Sequence, residues 1–177
     1  LKIVGAEDVT FRNNTITGNL PGKSFAFRLT GRSVLPNRNI AFYNNIWTDP
    51  TGTMGAENNQ DNNNFSDSEA TASYVINNNL YWNGGQPIPP DDDEIISYLD
   101  DDAATISNPN LPTDQTAFQP PRWLPATGQF ANGATSIQQL FAQLVADYGT
   151  IPANSVAIDA ANTQNAPATD ILGNPRN

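Results

Sequence analysis

The sequence predicts an all-β fold in which short parallel strands stack repeat upon repeat as a solenoid, a parallel β-helix, with a helix-containing C-terminal segment. Three observations predict it. The block VTFRNNTI at residues 9–16 returns as IAFYNNIW at 40–47 and as YVINNNLY at 74–81. Within each block apolar residues alternate, as on a strand with one buried face. An Asn pair sits at the same place in every block, and the thirty-odd residues between pairs fall in the window of about 20–50 residues that marks stacked repeats.

The elements follow in order. Val9 and Phe11, Ile40 and Phe42, and Tyr74 and Ile76 match before the pairs; Ile16, Trp47 and Tyr81 match after them. Phe25, Phe27 and Leu29 alternate in the same way, so each repeat holds more than one strand. A strand with a single apolar face cannot bury it alone, whereas stacked repeats bury it continuously. The pairs Asn13 and Asn14, Asn44 and Asn45, Asn78 and Asn79 are expected to form a structural ladder at one corner. Asn tolerates the left-handed backbone of such corners, and stacked amides satisfy one another where isolated ones would be left unpaired.

Residues 48–72 are poor in apolar side chains and read as a polar loop leaving the stack. After Trp82, Asn83, Gly84 and Gly85 interrupt the strand pattern. A short helix is expected over 91–100, capped by Asp91 or Asp92, with Ile95, Ile96 and Leu99 inward. A stronger one is expected over 137–148, where Ile137, Leu140, Phe141, Leu144, Val145 and Tyr148 share a face. Ser136 and Gln139 form its capping box and Gly149 its stop. The division expected is 1–90 for the stacked coils and 91–177 for a segment whose helices pack on them.

The totals exclude several function classes. With 8 Lys plus Arg against 18 Asp plus Glu and a net charge of -10, the chain repels nucleic acid and anionic membrane surfaces. No apolar run has the length of about 20 residues that a membrane span needs. Neither Cys nor His is present, which removes disulfides, thiol chemistry and the commonest general base and transition-metal ligand.

The succession VTFRNNTITGN, RNIAFYNNIW, NNNLYWNGG, ISNPNL and SVAIDAANTQNAPATDILGNPR resembles the C-terminal part of bacterial right-handed parallel β-helix proteins with pectate-lyase-like coils. The resemblance is most specific at the close, from Ser155 to Ala161 and from Thr169 to Arg176; Val156 and Ala161 depart from the usual motif, and residues 111–150 fit least. It implies a right-handed β-helix that is secreted or held at the cell surface. Both chain ends fall inside the family pattern and are expected to be cuts from a longer solenoid.

Candidate chemistry is sparse. Asp91, Asp93 and Glu94, in the acidic run that also holds Asp92 and continues at Asp100, Asp101 and Asp102, are the candidate ligands for Ca²⁺, a hard cation served by several loop oxygens; no other cofactor and no catalytic residue is expected. Among Arg12, Arg28, Arg32 and Arg38, Arg12 faces outward as a lyase base would, and as an ordinary surface Arg does. Asp159 and Asp170 read as turn-fixing residues. Tyr43, Trp47, Tyr81, Trp82 and Trp123 offer rings for sugar stacking, although Trp47 and Tyr81 sit at core-matching positions. The function expected is an extracellular structural or assembly protein that self-associates head-to-tail through open solenoid ends. The alternatives are part of a polysaccharide lyase or glycoside hydrolase with its site on other coils, or a carbohydrate-binding adhesin module.

Overall fold

A computed structural model describes residues 1–22, 26–30, 35–56, 71–88, 98–111 and 119–176. Each Asn pair divides a repeat into two short strands. In the first, β1 (Lys2–Val4), β2 (Thr10–Arg12) and β3 (Thr15–Thr17) follow one another, and β4 (Arg28–Thr30) pairs with β1 in parallel. In the second, β5 (Ile40–Tyr43) precedes β6 (Ile46–Thr48), and in the third β7 (Tyr74–Asn77) precedes β8 (Leu80–Trp82). The break falls at Asn13, Asn44 and Asn78, whose φ values are 55°, 55° and 58°. Those are left-handed conformations, which Asn reaches more readily than other residues bearing a Cβ.

The strands before the corner form one parallel sheet, β2-β5-β7, with Phe11 beside Phe42 and Phe42 beside Ile76. Those after it form another, β3-β6-β8-β9, in which Ile16, Trp47, Tyr81 and Ile106 share a row and β9 is Thr105–Ile106. Residues of equal rank in successive repeats therefore lie side by side. Trp47 stacks on Tyr81 with ring centres 5.4 Å apart, and Phe27 stacks on Phe42 at 4.5 Å. These rings, with Ile3, Leu29, Ile40, Met54, Ile76 and Tyr98, make the core.

Beyond the stack, β10 (Trp123–Leu124) and β11 (Gln129–Phe130) form an antiparallel hairpin. Helix α1 (Ile137–Leu144) follows and continues as a π-helical turn over Val145–Gly149.

This architecture corrects the expected fold class. The described residues form four separate small sheets of mixed kind with one α-helix, an α/β-like arrangement; no closed solenoid or all-β right-handed parallel β-helix is formed among them. The physical reason is that strands of two to four residues end at left-handed corners and turns. Ladder bonding is thereby confined to patches, and the later chain turns to local hairpin and helix bonding.

The helix expected over 91–100 lies outside the described residues except for a 3-10 turn at Tyr98–Asp100. Helix α1 begins as read: the Ser136 hydroxyl accepts from Gln139 N–H at 3.1 Å. The Gln139 side chain reaches past the cap to Thr135, accepting from its N–H at 2.9 Å. The expected inward stripe of α1 is not buried at any position, and Ile137 is 77% exposed. The polar loop expected over 48–72 starts differently as well. Thr48, Asp49 and Met54 are buried, because the Asp49 carboxylate gathers the turn that follows it; residues 57–70 lie outside the described residues.

Candidate functional site

The stack is held together by a column of buried amides beside the corners. Asn14 Nδ2 donates to Asn45 Oδ1 at 3.1 Å, Asn45 Nδ2 to Asn79 Oδ1 at 2.9 Å, and Asn79 Nδ2 to Asp101 Oδ2 at 2.8 Å. Backbone N–H groups of the same residues repeat each link at 3.1, 3.0 and 2.8 Å. Asn45 and Asn79 also send their amides to the Phe11 and Phe42 carbonyls, at 2.9 and 3.1 Å. Asn45, Asn79 and Asp101 are all at most 5% exposed, so each bond replaces one that water would otherwise supply.

The first Asn of each pair has a different role. Asn44 and Asn78 meet a strap formed by residues 160–165, which crosses the repeats. Asn78 Nδ2 donates to Ala160 O at 3.2 Å, and Asn162 N–H donates to Asn44 Oδ1 at 2.8 Å. Asn162 Nδ2 reaches Asn77 Oδ1 at 3.2 Å, and the Arg12 guanidinium reaches Asn165 O at 3.1 Å. The strap thus passes from the third repeat to the first. Asn13 is not drawn into it, and its Oδ1 is buried without a hydrogen-bond partner.

A second polar knot lies after the corner. Asp49 accepts from Leu20 N–H at 2.9 Å, from Thr51 N–H at 2.9 Å, from the Thr53 hydroxyl at 2.9 Å and from the Thr51 hydroxyl. Burial pushes this carboxyl up, but those hydrogen bonds, the Thr51 hydroxyl foremost, outweigh it and hold the group below its ordinary range. Asn83, one repeat on, accepts from Met54 N–H and donates to Pro87 O at 2.9 and 2.7 Å. The two turns touch so closely that a Cβ on Gly84 would meet Gly52 N at 2.7 Å. Asn37 completes the set, accepting from Ala6 N–H at 3.0 Å and donating to Thr71 Oγ1 at 3.3 Å.

The remaining sequence candidates are scattered. Asp91, Asp93 and Glu94 lie outside the described residues, as do Asp92 and Arg32; among the described residues no group of three acidic, His or Cys side chains is placed to hold a metal. Trp47 and Tyr81 are in the core, Tyr43 and Trp82 are half-buried, and Trp123 is 43% exposed, edge-on to Phe130 at 5.0 Å. Asp159 takes a left-handed conformation with φ 55°. Asp170 closes a turn by accepting from Leu172 and Asn174 N–H groups at 2.9 and 2.8 Å and from Asn174 Nδ2 at 3.0 Å. The Asn174 side chain is the main reason its carboxyl lies below the ordinary value. No described helix is long and apolar enough to cross a membrane.

Asn37, Asp49, Asn83 and Asp101 were missed by sequence reasoning. Asp49 and Asn83 each stand four residues beyond a ladder Asn, and Asn37 stands as far before Thr71 as Asn45 before Asn79, so extending the repeat alignment would have found them. Asp101 has no counterpart at that spacing. No family model matches the sequence, and neither the curated proteins nor the solved structures yield a match.

Proposed function

We propose that the chain is a structural or assembly element of the cell exterior, a rigid stack that works by joining other polypeptide through its strand edges. One observation carries the reading. Among the described residues, the buried Asn and Asp side chains of the stack, Asn37, Asn45, Asp49, Asn79, Asn83 and Asp101, are all engaged in hydrogen bonds that tie one repeat or turn to another. Polar groups spent in this way fix shape, whereas general acid and base groups must face a reacting atom. The exterior location is supported by the resemblance of the closing motif to secreted proteins, with which the net charge of -10 is compatible.

The test is incubation with polygalacturonate and with alginate, with and without Ca²⁺, following unsaturated products and reducing ends. The structural reading expects neither to appear; release of either product overturns it in favour of a lyase or hydrolase. A second reading, carbohydrate binding, rests on Trp123, whose exposed ring sits on a hairpin where a sugar ring could stack. A glycan array comparing the chain with Trp123→Ala tests it: binding lost in the variant supports the reading, and absence of binding removes it.

A further inference from the structure

The two members of each asparagine pair are used differently. Asn45 and Asn79 are buried in the amide column, whereas Asn13, Asn44 and Asn78 are partly exposed at the left-handed corner. These three continue the register of the sheet before the corner. Asn13 N–H donates to Tyr43 O at 3.0 Å, and Asn44 N–H donates to Asn77 O at 3.3 Å. They therefore stand side by side as a row, at the spacing of about 4.8 Å that separates neighbouring strands.

What this row grips in the strap is main chain. Asn44 holds one residue in both directions: its Oδ1 accepts from Asn162 N–H at 2.8 Å, and its Nδ2 donates to Asn162 O at 3.1 Å. A side-chain amide offers donor and acceptor as a peptide unit does, so the match is independent of the side chain being held. Asn78 Nδ2 donates to Ala160 O at 3.2 Å, and the Arg12 guanidinium donates to Asn165 O at 3.1 Å. The fit is incomplete, however. The strap is extended at Asn162, with φ -68° and ψ 110°, and then winds into a 3-10 turn over Thr163–Asn165. Past that turn Asn13 Oδ1 is buried without a hydrogen-bond partner among the described residues. A chain that stayed extended would carry a further N–H to that oxygen.

We propose that the row of corner asparagines is a site that reads the main chain of an extended segment of another polypeptide, and that the strap is a competitor built into the same chain. The incoming segment takes the strap's place on Asn78 and Asn44 and donates one more N–H, to Asn13 Oδ1. Because the strap is tethered, it competes at an effective concentration of about millimolar, which keeps the row closed until the strap lifts. Its bonds engage partly exposed groups, so water replaces them at small net cost when it does. This inference rests on the proposed assembly function and gives it a joining surface whose occupancy the chain itself controls.

The experiment titrates the full chain, intact or carrying Asn162→Pro, into a fluorescein-labelled peptide copying residues 157–167, followed by anisotropy. Proline suits the φ of -68° at that position. It removes the N–H given to Asn44 and the amide given to Asn77, which releases the strap. The peptide is expected to bind the Asn162→Pro chain at least about tenfold more tightly than the intact chain, where the strap competes. Methylating the peptide nitrogen that matches Asn162 should abolish binding, while Ala in place of the residues matching Thr163 and Gln164 should change it by less than about twofold. In the Asn162→Pro background, Asn44→Gly keeps the left-handed corner and removes its amide, and should abolish binding too. Equal affinity for the two chains, full binding of the methylated peptide, or no binding by the Asn162→Pro chain overturns the inference. The methylated peptide keeps the test decisive if Asn44→Gly fails to fold. Product release from polysaccharide would remove the assembly function and leave these affinities as they are.

Discussion

The stacked repeats and the chain beyond residue 119 are built by different means. The stack contains nearly all the buried apolar side chains, from Ile3 to Tyr98; beyond residue 119 Ala134 is the buried apolar residue and Ser155 the buried polar one. Order in the stack comes from residues thirty-odd positions apart meeting in register. Apart from the strap at 160–165, order in the second region comes from neighbours: the Ser136 cap, the Asp170 turn and the β10-β11 hairpin are closed within a few residues. The stack should therefore unfold as one unit, while the second region opens piecewise at lower free energy.

Matched truncations give the largest contrast. Phe42→Ala removes a ring that is fully buried between Phe11 and Phe27 and should destabilise the stack by about 3–5 kcal/mol in denaturant unfolding. Phe141→Ala, at a position 43% exposed, should change the same transition by less than about 0.5 kcal/mol. Similar losses from both would mean that the two regions form a single cooperative unit. Next comes Asn45→Ala, which removes the acceptor of the Asn14 N–H and side-chain amide and the side-chain donor to the Phe11 carbonyl. A loss of about 2–4 kcal/mol is expected, since each buried group left unpaired costs about 1–3 kcal/mol; a loss near zero would show water replacing the ladder.

Acid separates the regions again. The folded Asp49 carboxyl titrates below its ordinary value of 3.8, so the unfolded chain takes up its proton first as pH falls. The stability it contributes is complete above that ordinary value and disappears as pH drops through the lowered one. Asp49→Asn should flatten the acid limb of stack unfolding while lowering stability at neutral pH, because an amide cannot accept all four donors. An unchanged acid limb would assign acid sensitivity to other carboxyls. A smaller effect is expected from Asn162→Ala, which removes the strap's bonds to Asn77 and to its own turn. Amide exchange over 160–165 should rise severalfold, with the stack's unfolding shifted by no more than about 1 kcal/mol.

Sequence carried β2, β3 and β5 to β8 because positions there are fixed twice, by alternation and by recurrence, whereas β4 showed alternation alone and β1 and β9 were not read. The same recurrence placed the Asn corners, since left-handed backbone calls for Asn at the first position of each pair and amide stacking calls for it at the second. What it did not carry was closure. Whether strands of three or four residues join around a coil depends on turn lengths, which leave no periodic trace, and the chain instead breaks into separate sheets. Asp101 was read only as part of an acidic run because its neighbours Asp100 and Asp102 are acidic too; the arrival of Asn79 beside it makes that carboxylate a column end. The stripe on α1 was read correctly as helical, and its burial was not, because periodicity reports which residues share a face and not what covers that face.

That last point sets the smallest prediction. Helix α1 makes its bonds within itself, with its cap and with Asn132, whose Nδ2 donates to Gln143 Oε1 at 2.7 Å, and none of its residues is buried. Ser136→Ala removes the acceptor for Gln139 N–H, a change that destabilises a helix by about 1 kcal/mol. A helix of eight residues is marginal without packing, so a loss of this size should unravel much of it. Helical ellipticity near 222 nm should therefore fall while the denaturant midpoint of the stack stays where it was, and Ser136→Asp, which restores a capping oxygen, should recover the signal. If the midpoint moved together with the ellipticity, the apolar face of α1 would be contributing to the core after all, and the boundary between globally and locally ordered chain would have to be drawn beyond residue 149.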